Sequence, residues 1–159
     1  MSHRARFAHV NIVARDWRRL ADFYENVFGC LPVGPERDYQ GRDLDAGTGL
    51  SGARLRGVHL KLPGFDGDAA PTLEIFQYDP SGDDPPRSVN RIGFGHICFQ
   101  VRDVAAARKS VLANGGSAVG KVVTLSPSPT ASVTWCYVKD PEGNILELQR
   151  WSPFGFKPR

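Results

Sequence analysis

Two segments of the chain alternate apolar and polar residues in the same way, and they share several residues. They read FAHVNIVARD at residues 7–16 and FGHICFQVRD at residues 94–103. Alternation with a period of two is typical of a β-strand with one buried face. Because Phe, His, Arg and Asp recur at the same spacing, we interpret residues 7–13 and 94–101 as the first strands of two copies of one structural unit.

An amphipathic helix is predicted directly after each of these strands. The helices span residues 17–28 and 104–114, with Asp16 and Asp103 as their N-caps. Glycines follow both helices, and glycine favours the left-handed conformation that ends a helix. Three further strands are predicted in each copy, at residues 31–37, 54–62 and 72–78 in the first and at residues 118–125, 133–138 and 144–151 in the second.

A second match lies at the ends of the two copies, where TLEIFQY (residues 72–78) corresponds to ILELQRW (residues 145–151). The first copy is longer between the two matches, and its Gly-rich residues 39–57 are the expected place of the longer connection. The sequence therefore predicts an α+β fold of two βαβββ modules. The predicted boundaries are residues 1–78 and 93–151 for the modules, 79–92 for a Pro-rich linker and 152–159 for a tail.

The composition is that of an ordinary globular protein. The 159 residues are 41% apolar and 23% charged, which is enough to bury a core without disulfides. No apolar stretch approaches the ~20 residues that span a bilayer, and no signal peptide is recognised. The net charge of +3 comes from scattered basic residues, so neither nucleic acid nor a membrane is an expected partner. Cys30, Cys98 and Cys136 form no CxxC pair, and free thiols of a cytoplasmic protein are expected.

Strand alternation places side chains with metal-binding chemistry at matching positions of the two copies. His9 and His96 lie on the first strands, and Glu74 and Glu147 lie on the last strands. Each of these residues has an ordinary explanation by itself, but their paired occurrence favours a shared site. Two imidazoles and two carboxylates suit a divalent metal such as Zn, Ni, Co, Mn or Fe.

The same strand faces carry aromatic and polar neighbours, so we expect them to line a substrate cavity. His59 lies outside the repeat, and we expect it to line the cavity or the surface instead of binding the metal. Arg54, Arg56 and Lys61 could meet an anionic substrate tail, but a solvated strand edge is the simpler interpretation. The candidate cavity residues are Asn11, His59, Phe76, Cys98 and Gln100.

Three segments of the chain resemble the vicinal oxygen chelate superfamily, which includes glyoxalase I, methylmalonyl-CoA epimerase, extradiol dioxygenases and the fosfomycin and bleomycin resistance proteins. They read HVNIVARDWRRLADFYENVFG, GHICFQVRDV and YVKDPEGNILELQRW, and the resemblance covers nearly all of residues 7–151. It implies two βαβββ modules that form an incomplete barrel around a metal-binding cavity. It also implies a ligand set similar to that of the glyoxalase and epimerase branch, namely His9, Glu74, His96 and Glu147.

These observations predict a metal-dependent lyase or isomerase of the glyoxalase and epimerase type. A metal can chelate two adjacent substrate oxygens, and a carboxylate at the metal can move a proton at the adjacent carbon. Glu74 and Glu147 are both candidates for this base, and the substrate would be a thiohemiacetal, an acyl thioester or an aromatic molecule.

Two alternative functions stay open at this point. The first is a ring-cleaving dioxygenase of the extradiol type, and the second is a non-catalytic protein that binds a small molecule or drug, as in bleomycin resistance. Consumption of oxygen distinguishes the dioxygenase, and absence of metal would favour the binding protein. Sheet edges that need covering also predict a homodimer.

Overall fold

The structure is a computed structural model, and it describes residues 5–67 and 70–153. The chain divides into two units, residues 1–25 with 29–83 and residues 26–28 with 84–159. Each unit contains one mixed sheet together with helix, which confirms the predicted α+β class. The predicted tail lies outside the described residues from residue 154 onward. No helix within the described ranges is both long enough and apolar enough to cross a membrane.

The first unit follows the predicted βαβββ order and contains one additional helix. Its sheet has the order β1-β4-β3-β2, in which β1 runs parallel to β4 and the other neighbours are antiparallel. Its elements are β1 (His9–Val13), α1 (Trp17–Phe28), β2 (Leu31–Gln40), α2 (Arg42–Thr48), β3 (Arg54–Lys61) and β4 (Thr72–Asp79).

Helix α1 begins and ends at the residues that its sequence predicts. The Asp16 side chain accepts a hydrogen bond from the Arg19 amide at 3.1 Å, which satisfies one of the unpaired donors of the first turn. Gly29 ends the helix at a φ of 69°, in the left-handed region where a side chain would be strained. Leu20 and Tyr24, spaced by one helical turn, are fully buried and fix the inward face of the helix.

The Gly-rich stretch of the first unit contains the longer connection, and part of it forms a helix that the sequence did not predict. Strand β2 continues to Gln40 instead of ending at residue 37, and α2 follows it. Asp45 fixes the turn after α2, because its two carboxylate oxygens accept hydrogen bonds from the Gly52 and Ala53 amides at 2.9 and 3.1 Å. Because α2 buries none of its residues, hydrophobic periodicity gives no signal for it.

The second unit repeats this arrangement with a divided strand. Its sheet has the order β5-β9-β8-β6, with β7 also paired to β8, and β5 runs parallel to β9. One strand is predicted over residues 118–125, but the amides of Val119 and Gly120 both donate to the Tyr137 carbonyl, at 3.3 and 3.4 Å. This bulge separates β6 from β7. The elements are β5 (Ile97–Gln100), α3 (Val104–Ala113), β6 (Ser117–Ala118), β7 (Val123–Ser128), β8 (Ala131–Lys139) and β9 (Ile145–Ser152).

Both first strands are shorter than the alternating pattern predicts. Strand β1 begins at His9 and β5 begins at Ile97, so His96 lies just ahead of its sheet. Phe7 and Phe94, predicted as strand residues, are 63% and 76% exposed. Strand pairing sets these starting points, because β1 pairs with β4 only from His9 onward and β5 pairs with β9 only from Ile97 onward.

Each sheet buries the apolar face that strand alternation predicts. The fully enclosed residues of the last strands are Leu73, Ile75, Leu146 and Leu148. Full burial of such a side chain stabilises a fold by about 1.5–3 kcal/mol. Because successive side chains of a strand point to opposite faces, Glu74 and Glu147 are directed away from these packed faces. The cores therefore fix the positions of the two candidate carboxylates.

Candidate functional site

In the first unit, Glu74 is a nearly buried carboxylate in contact with three polar side chains. It is 9% exposed, and His9 on the parallel neighbour β1 places its Nε2 atom 3.5 Å from Glu74 Oε2. Asn11, directly opposite Glu74 in the register, donates a hydrogen bond from Nδ2 to the same oxygen at 3.3 Å. The structure thus brings together two predicted ligands and one predicted cavity residue.

His59 on β3 is the third partner of Glu74. It lies opposite Glu74 in the antiparallel register, and its Nε2 atom is 3.4 Å from Glu74 Oε1. The ring of Phe76, another predicted cavity residue, packs edge-on against the His59 imidazole with 5.6 Å between the ring centroids. Sequence reasoning did not foresee the contact between His59 and Glu74, because it depends on the pairing register of β3 with β4.

The surroundings of His59 favour the neutral imidazole. Burial is the main cause that lowers the pKa of His59 below its ordinary value. Glu74 acts in the opposite direction, and the charges of Arg37 and His9 add to the lowering. A neutral imidazole still has one N–H group that can donate to the Glu74 carboxylate.

In the second unit, Glu147 forms the equivalent pair with His96. The Nε2 atom of His96 lies 3.0 Å from Glu147 Oε2, and the Glu147 side chain is 18% exposed. Cys98 on β5 and Tyr137 on β8 are the register partners of Glu147. The rings of His96 and Tyr137 lie close together, with 5.2 Å between their centroids.

The two register partners of Glu147 both have raised pKa values. Although Cys98 is exposed by accessible surface, the protein atoms around its thiol partly desolvate it, and this desolvation, followed by the charge of Glu147, raises the pKa of the Cys98 thiol to about 12. The same two causes raise the pKa of Tyr137, with a further contribution from Cys98. Both groups are therefore neutral near pH 7. The sequence analysis predicted Cys98 as a cavity residue but did not identify Tyr137. The alternation of residues along β8 was the signal that could have placed Tyr137 on the same face.

The remaining predicted features lie apart from these contacts. Gln100 is exposed at the end of β5, opposite Gln149. The three cysteines are free thiols, as predicted, with Cys30 and Cys136 buried and Cys98 exposed. A cavity of about 270 Å³ in the first unit lies along α1 and β2, and its lining contains none of the predicted site residues.

The donor geometry within each unit fits a divalent metal. Two ligands that bind one metal at about 2.1 Å stand roughly 3.0–3.4 Å apart in octahedral or tetrahedral coordination. The nitrogen–oxygen distances of 3.0 Å for His96 and Glu147 and 3.5 Å for His9 and Glu74 are close to that range. Within the described residues no group of three or more His, Cys, Asp or Glu side chains is arranged as a metal site. The first unit has two histidine–glutamate contacts, of His9 and His59 with Glu74, and the second unit has one, of His96 with Glu147.

Two mixed sheets, each with a histidine–glutamate pair at equivalent positions, define the class of protein. The chain matches the Glyoxalase/Bleomycin resistance protein/Dioxygenase superfamily over residues 6–148. Because this match spans most of the chain, the protein belongs to that superfamily. The resemblance drawn from its sequence motifs is thereby confirmed.

Individual relatives include two kinds of enzyme. The chain is 26% identical over 145 residues to an ethylmalonyl-CoA/methylmalonyl-CoA epimerase from Cereibacter sphaeroides, covering 91% of this chain and 97% of that protein. It is 27% identical over 154 residues to a lactoylglutathione lyase from Arabidopsis thaliana, covering 93% of this chain and 45% of that protein.

A solved structure supports the fold. A glyoxalase family protein from Bacillus cereus is similar with a TM-score of 0.78 and 22% sequence identity, covering 93% of this chain and 95% of that chain. At this level of identity the similarity establishes the fold and leaves the activity to the site itself.

Proposed function

We propose that this protein is a metal-dependent epimerase or lyase that transfers a proton at a carbon atom next to a carbonyl group. The observation that carries the proposal is the pairing of one histidine with one glutamate in each unit, at 3.5 and 3.0 Å. Similarity to an epimerase and to a lyase supports the same class of reaction. Acyl thioesters and thiohemiacetals are accordingly the proposed substrates.

The metal would be held by donors from both units. The proposed ligands are His9, Glu74, His96 and Glu147, of which each unit contributes one nitrogen and one oxygen donor. Assignment of both pairs to one metal rests on their equivalent positions in the repeat. When bound, a divalent metal supplies Lewis-acid stabilisation of the negative charge that develops on a substrate oxygen.

The chain's own residues determine the orientation of Glu74. Its Oε2 atom accepts a hydrogen bond from Asn11, and its Oε1 atom faces His59. Hydrogen-bonded neighbours of this kind orient a ligating carboxylate and are energetically important to many metal sites. Asn11 and His59 are therefore proposed as positioning residues for Glu74.

Glu147 is proposed as the group that accepts the proton from the substrate carbon. Glu74 has neighbours at both of its carboxylate oxygens, as described above. Among the described residues, Glu147 forms an ion pair or hydrogen bond with His96 only, through Oε2. Its second oxygen can therefore take up a proton without first giving up a hydrogen bond.

Exchange of the substrate proton with deuterium tests the proposal. Protein loaded with Zn, Ni, Co or Mn is incubated in D2O with methylmalonyl-CoA or with a glutathione thiohemiacetal, and NMR follows loss of the proton signal. At least one substrate should exchange, and the same protein treated with a chelator is the control. Fully loaded protein that exchanges neither substrate would contradict the proposal, and oxygen uptake with a catechol would then favour the dioxygenase.

A further inference from the structure

Strand β2 carries a bulge beside the residues of the first unit's site. In its pairing with β3, Val33 lies opposite His59 and Arg37 lies opposite Gly57. Three residues of β2, Gly34, Pro35 and Glu36, therefore stand where β3 has only Val58, an excess of two residues. Bulges of this kind occur next to active sites, where they redirect a side chain. The side chain that follows this bulge is Arg37.

The guanidinium of Arg37 is held over the bulge. Its Nη1 atom donates a hydrogen bond to the Pro35 carbonyl. A Cβ atom at Gly34 would lie 3.5 Å from both terminal nitrogens of Arg37, so the guanidinium packs directly on that glycine. Gly34 itself has a φ of 70°, a conformation that L side chains rarely adopt. Arg37 is also the one half-buried residue of an otherwise exposed strand.

Arg37 lies on the strand face that carries His59 and Glu74. Directly opposed residues of an antiparallel pair share a face, and Gly57, the partner of Arg37, is two residues from His59 on β3. The charge of Arg37 also contributes to the lowered pKa of His59, which places the two groups within electrostatic reach of each other.

Two other arginines of this unit, Arg18 and Arg54, have carboxylate partners, whereas the buried Nε atom of Arg56 on β3 has no hydrogen-bond partner among the described residues. Arg18 is 2.6 Å from a Glu36 oxygen, and Arg54 Nε donates to Asp38 at 2.7 Å. Arg37 forms no ion pair with a carboxylate anywhere in residues 5–67 or 70–153. A half-buried guanidinium whose bonded partner is a backbone carbonyl retains donors for a further anionic group.

We propose that Arg37 binds a carboxylate group of the substrate, an inference that rests on the proposed function of the same site. The two oxygens of a carboxylate match the paired N–H donors that a guanidinium presents on one edge. The substrate class is thereby narrowed to compounds that carry a free carboxylate, which include thioesters of dicarboxylic acids and glutathione thiohemiacetals. Arg37 is a specificity-determining residue and does not take part in the proton transfer.

Malonate binding tests this assignment without requiring turnover. Malonate and inorganic phosphate are titrated calorimetrically into metal-loaded wild-type protein and the variants Arg37→Gln, Arg37→Lys and Arg54→Gln. Loss of a charge-assisted hydrogen bond should weaken malonate binding roughly 10- to 100-fold in Arg37→Gln. Arg37→Lys should recover only part of this loss, because an ammonium group cannot form the planar fork. Arg54→Gln, which alters an exposed arginine paired with Asp38, should bind malonate like the wild type.

Several results would overturn the assignment. These are unchanged malonate affinity in Arg37→Gln, an equal loss in Arg54→Gln, or phosphate binding as tightly as malonate. If Arg37→Gln does not fold, an Arg37→Lys variant that binds malonate with full wild-type affinity would also overturn the assignment. The outcome is separate from that of the proposed function: Arg37-dependent malonate binding without any deuterium exchange would refute the proposed reaction alone. Exchange that proceeds with an unchanged KM for methylmalonyl-CoA in Arg37→Gln would refute the role of Arg37 alone.

Discussion

The two units place the same histidine–glutamate pair at equivalent positions but give the two glutamates different neighbours. Within its sheet, Glu74 is flanked by an amide and an imidazole, from Asn11 and His59. The corresponding neighbours of Glu147 are a thiol and a phenol. The first carboxylate therefore has a polar neighbour at each oxygen, Asn11 through a hydrogen bond and His59 at 3.4 Å, whereas the second has one oxygen without such a neighbour among the described residues. We therefore propose that the shared pairs supply metal ligands and that the different neighbours give the two glutamates different further roles.

Replacement of the glutamates tests this division with the largest expected effect. In metal-loaded protein, Glu147→Gln should slow deuterium exchange at the substrate carbon about 10²- to 10⁴-fold, the range that general base catalysis supplies. Glutamine keeps a carbonyl oxygen and a similar shape but lacks the proton-accepting carboxylate. Glu74→Gln should slow exchange less, since that side chain is assigned to metal binding. NMR measurement of exchange at saturating metal gives both rates.

The metal content of each glutamate variant is the necessary control for this comparison. Both variants should be assayed at metal concentrations that restore full loading, so that a lost ligand is not mistaken for a lost base. Equal losses in the two variants would remove the proposed division. A larger loss in Glu74→Gln would assign proton transfer to the first unit instead.

Histidine variants test whether the two pairs serve one metal. We expect one divalent metal per chain in the wild type, and loss of stoichiometric binding in both His9→Ala and His96→Ala. His59→Ala should retain one metal with its affinity reduced about 10-fold, as expected when a residue that orients a ligand is removed. Elemental analysis after dialysis, with titration of the retained fraction, measures these values. Two metals per chain, one lost in each of the first two variants, would show that the units bind metal separately.

Local sequence signals were sufficient to predict α1 to the residue. An aspartate at the start, a glycine at the end and an apolar stripe between them specify a helix through interactions within a few residues of the chain. The same local logic failed for α2, which is short, buries nothing and depends on contacts from Asp45 to the backbone beyond the helix. Local patterns thus predict the elements that carry their own caps and their own apolar face.

The composition of the site was only partly predictable, because much of it depends on strand register. The repeat identified the residues of both histidine–glutamate pairs. The sequence predicted His59 as a cavity or surface residue but not its contact with Glu74, which depends on how β3 pairs with β4. It gave no indication of Tyr137 or of Arg37, the proposed carboxylate-binding residue, because their positions depend on how β8 pairs with β9 and on the β2 bulge. Register is set by pairing across the sheet and changes with each bulge, so alternation along one strand cannot supply it.

The reactivity of Cys98 tests the surroundings of Glu147, and its expected effect is smaller than those of the glutamate and histidine variants. Because the pKa of this thiol is raised to about 12, its thiolate is scarce at pH 8, and alkylation by iodoacetamide should be at least about 10-fold slower than for free cysteine. The rate should continue to rise with pH beyond 10, since the thiolate fraction increases up to the pKa. Mass spectrometry resolves Cys98 from the two buried cysteines, Cys30 and Cys136.

The variant Glu147→Gln separates the two causes of the raised pKa of Cys98. Burial is the larger cause of the raised pKa and the Glu147 charge is the smaller one, so Glu147→Gln should accelerate alkylation of Cys98 only several-fold. A rate that levels off near pH 9 in the wild type would mean that the thiol has an ordinary pKa. It would also remove the electrostatic difference between the two glutamates' neighbours.

The smallest expected effect concerns a feature that the two units share. Asp16 accepts a hydrogen bond from the Arg19 amide at 3.1 Å, and Asp103 accepts one from the Ala106 amide at 3.0 Å, so both first helices have the same N-cap. Asp16→Ala and Asp103→Ala should each lower the free energy of unfolding by about 1 kcal/mol, because each leaves a helix donor without its partner. Urea denaturation measures the two values. The Asn variants at both positions should recover most of the stability, since asparagine is an equally good cap. If asparagine were as destabilising as alanine at either position, the cap hydrogen bond would not be what that aspartate contributes, and the resemblance between the units would end at their strands.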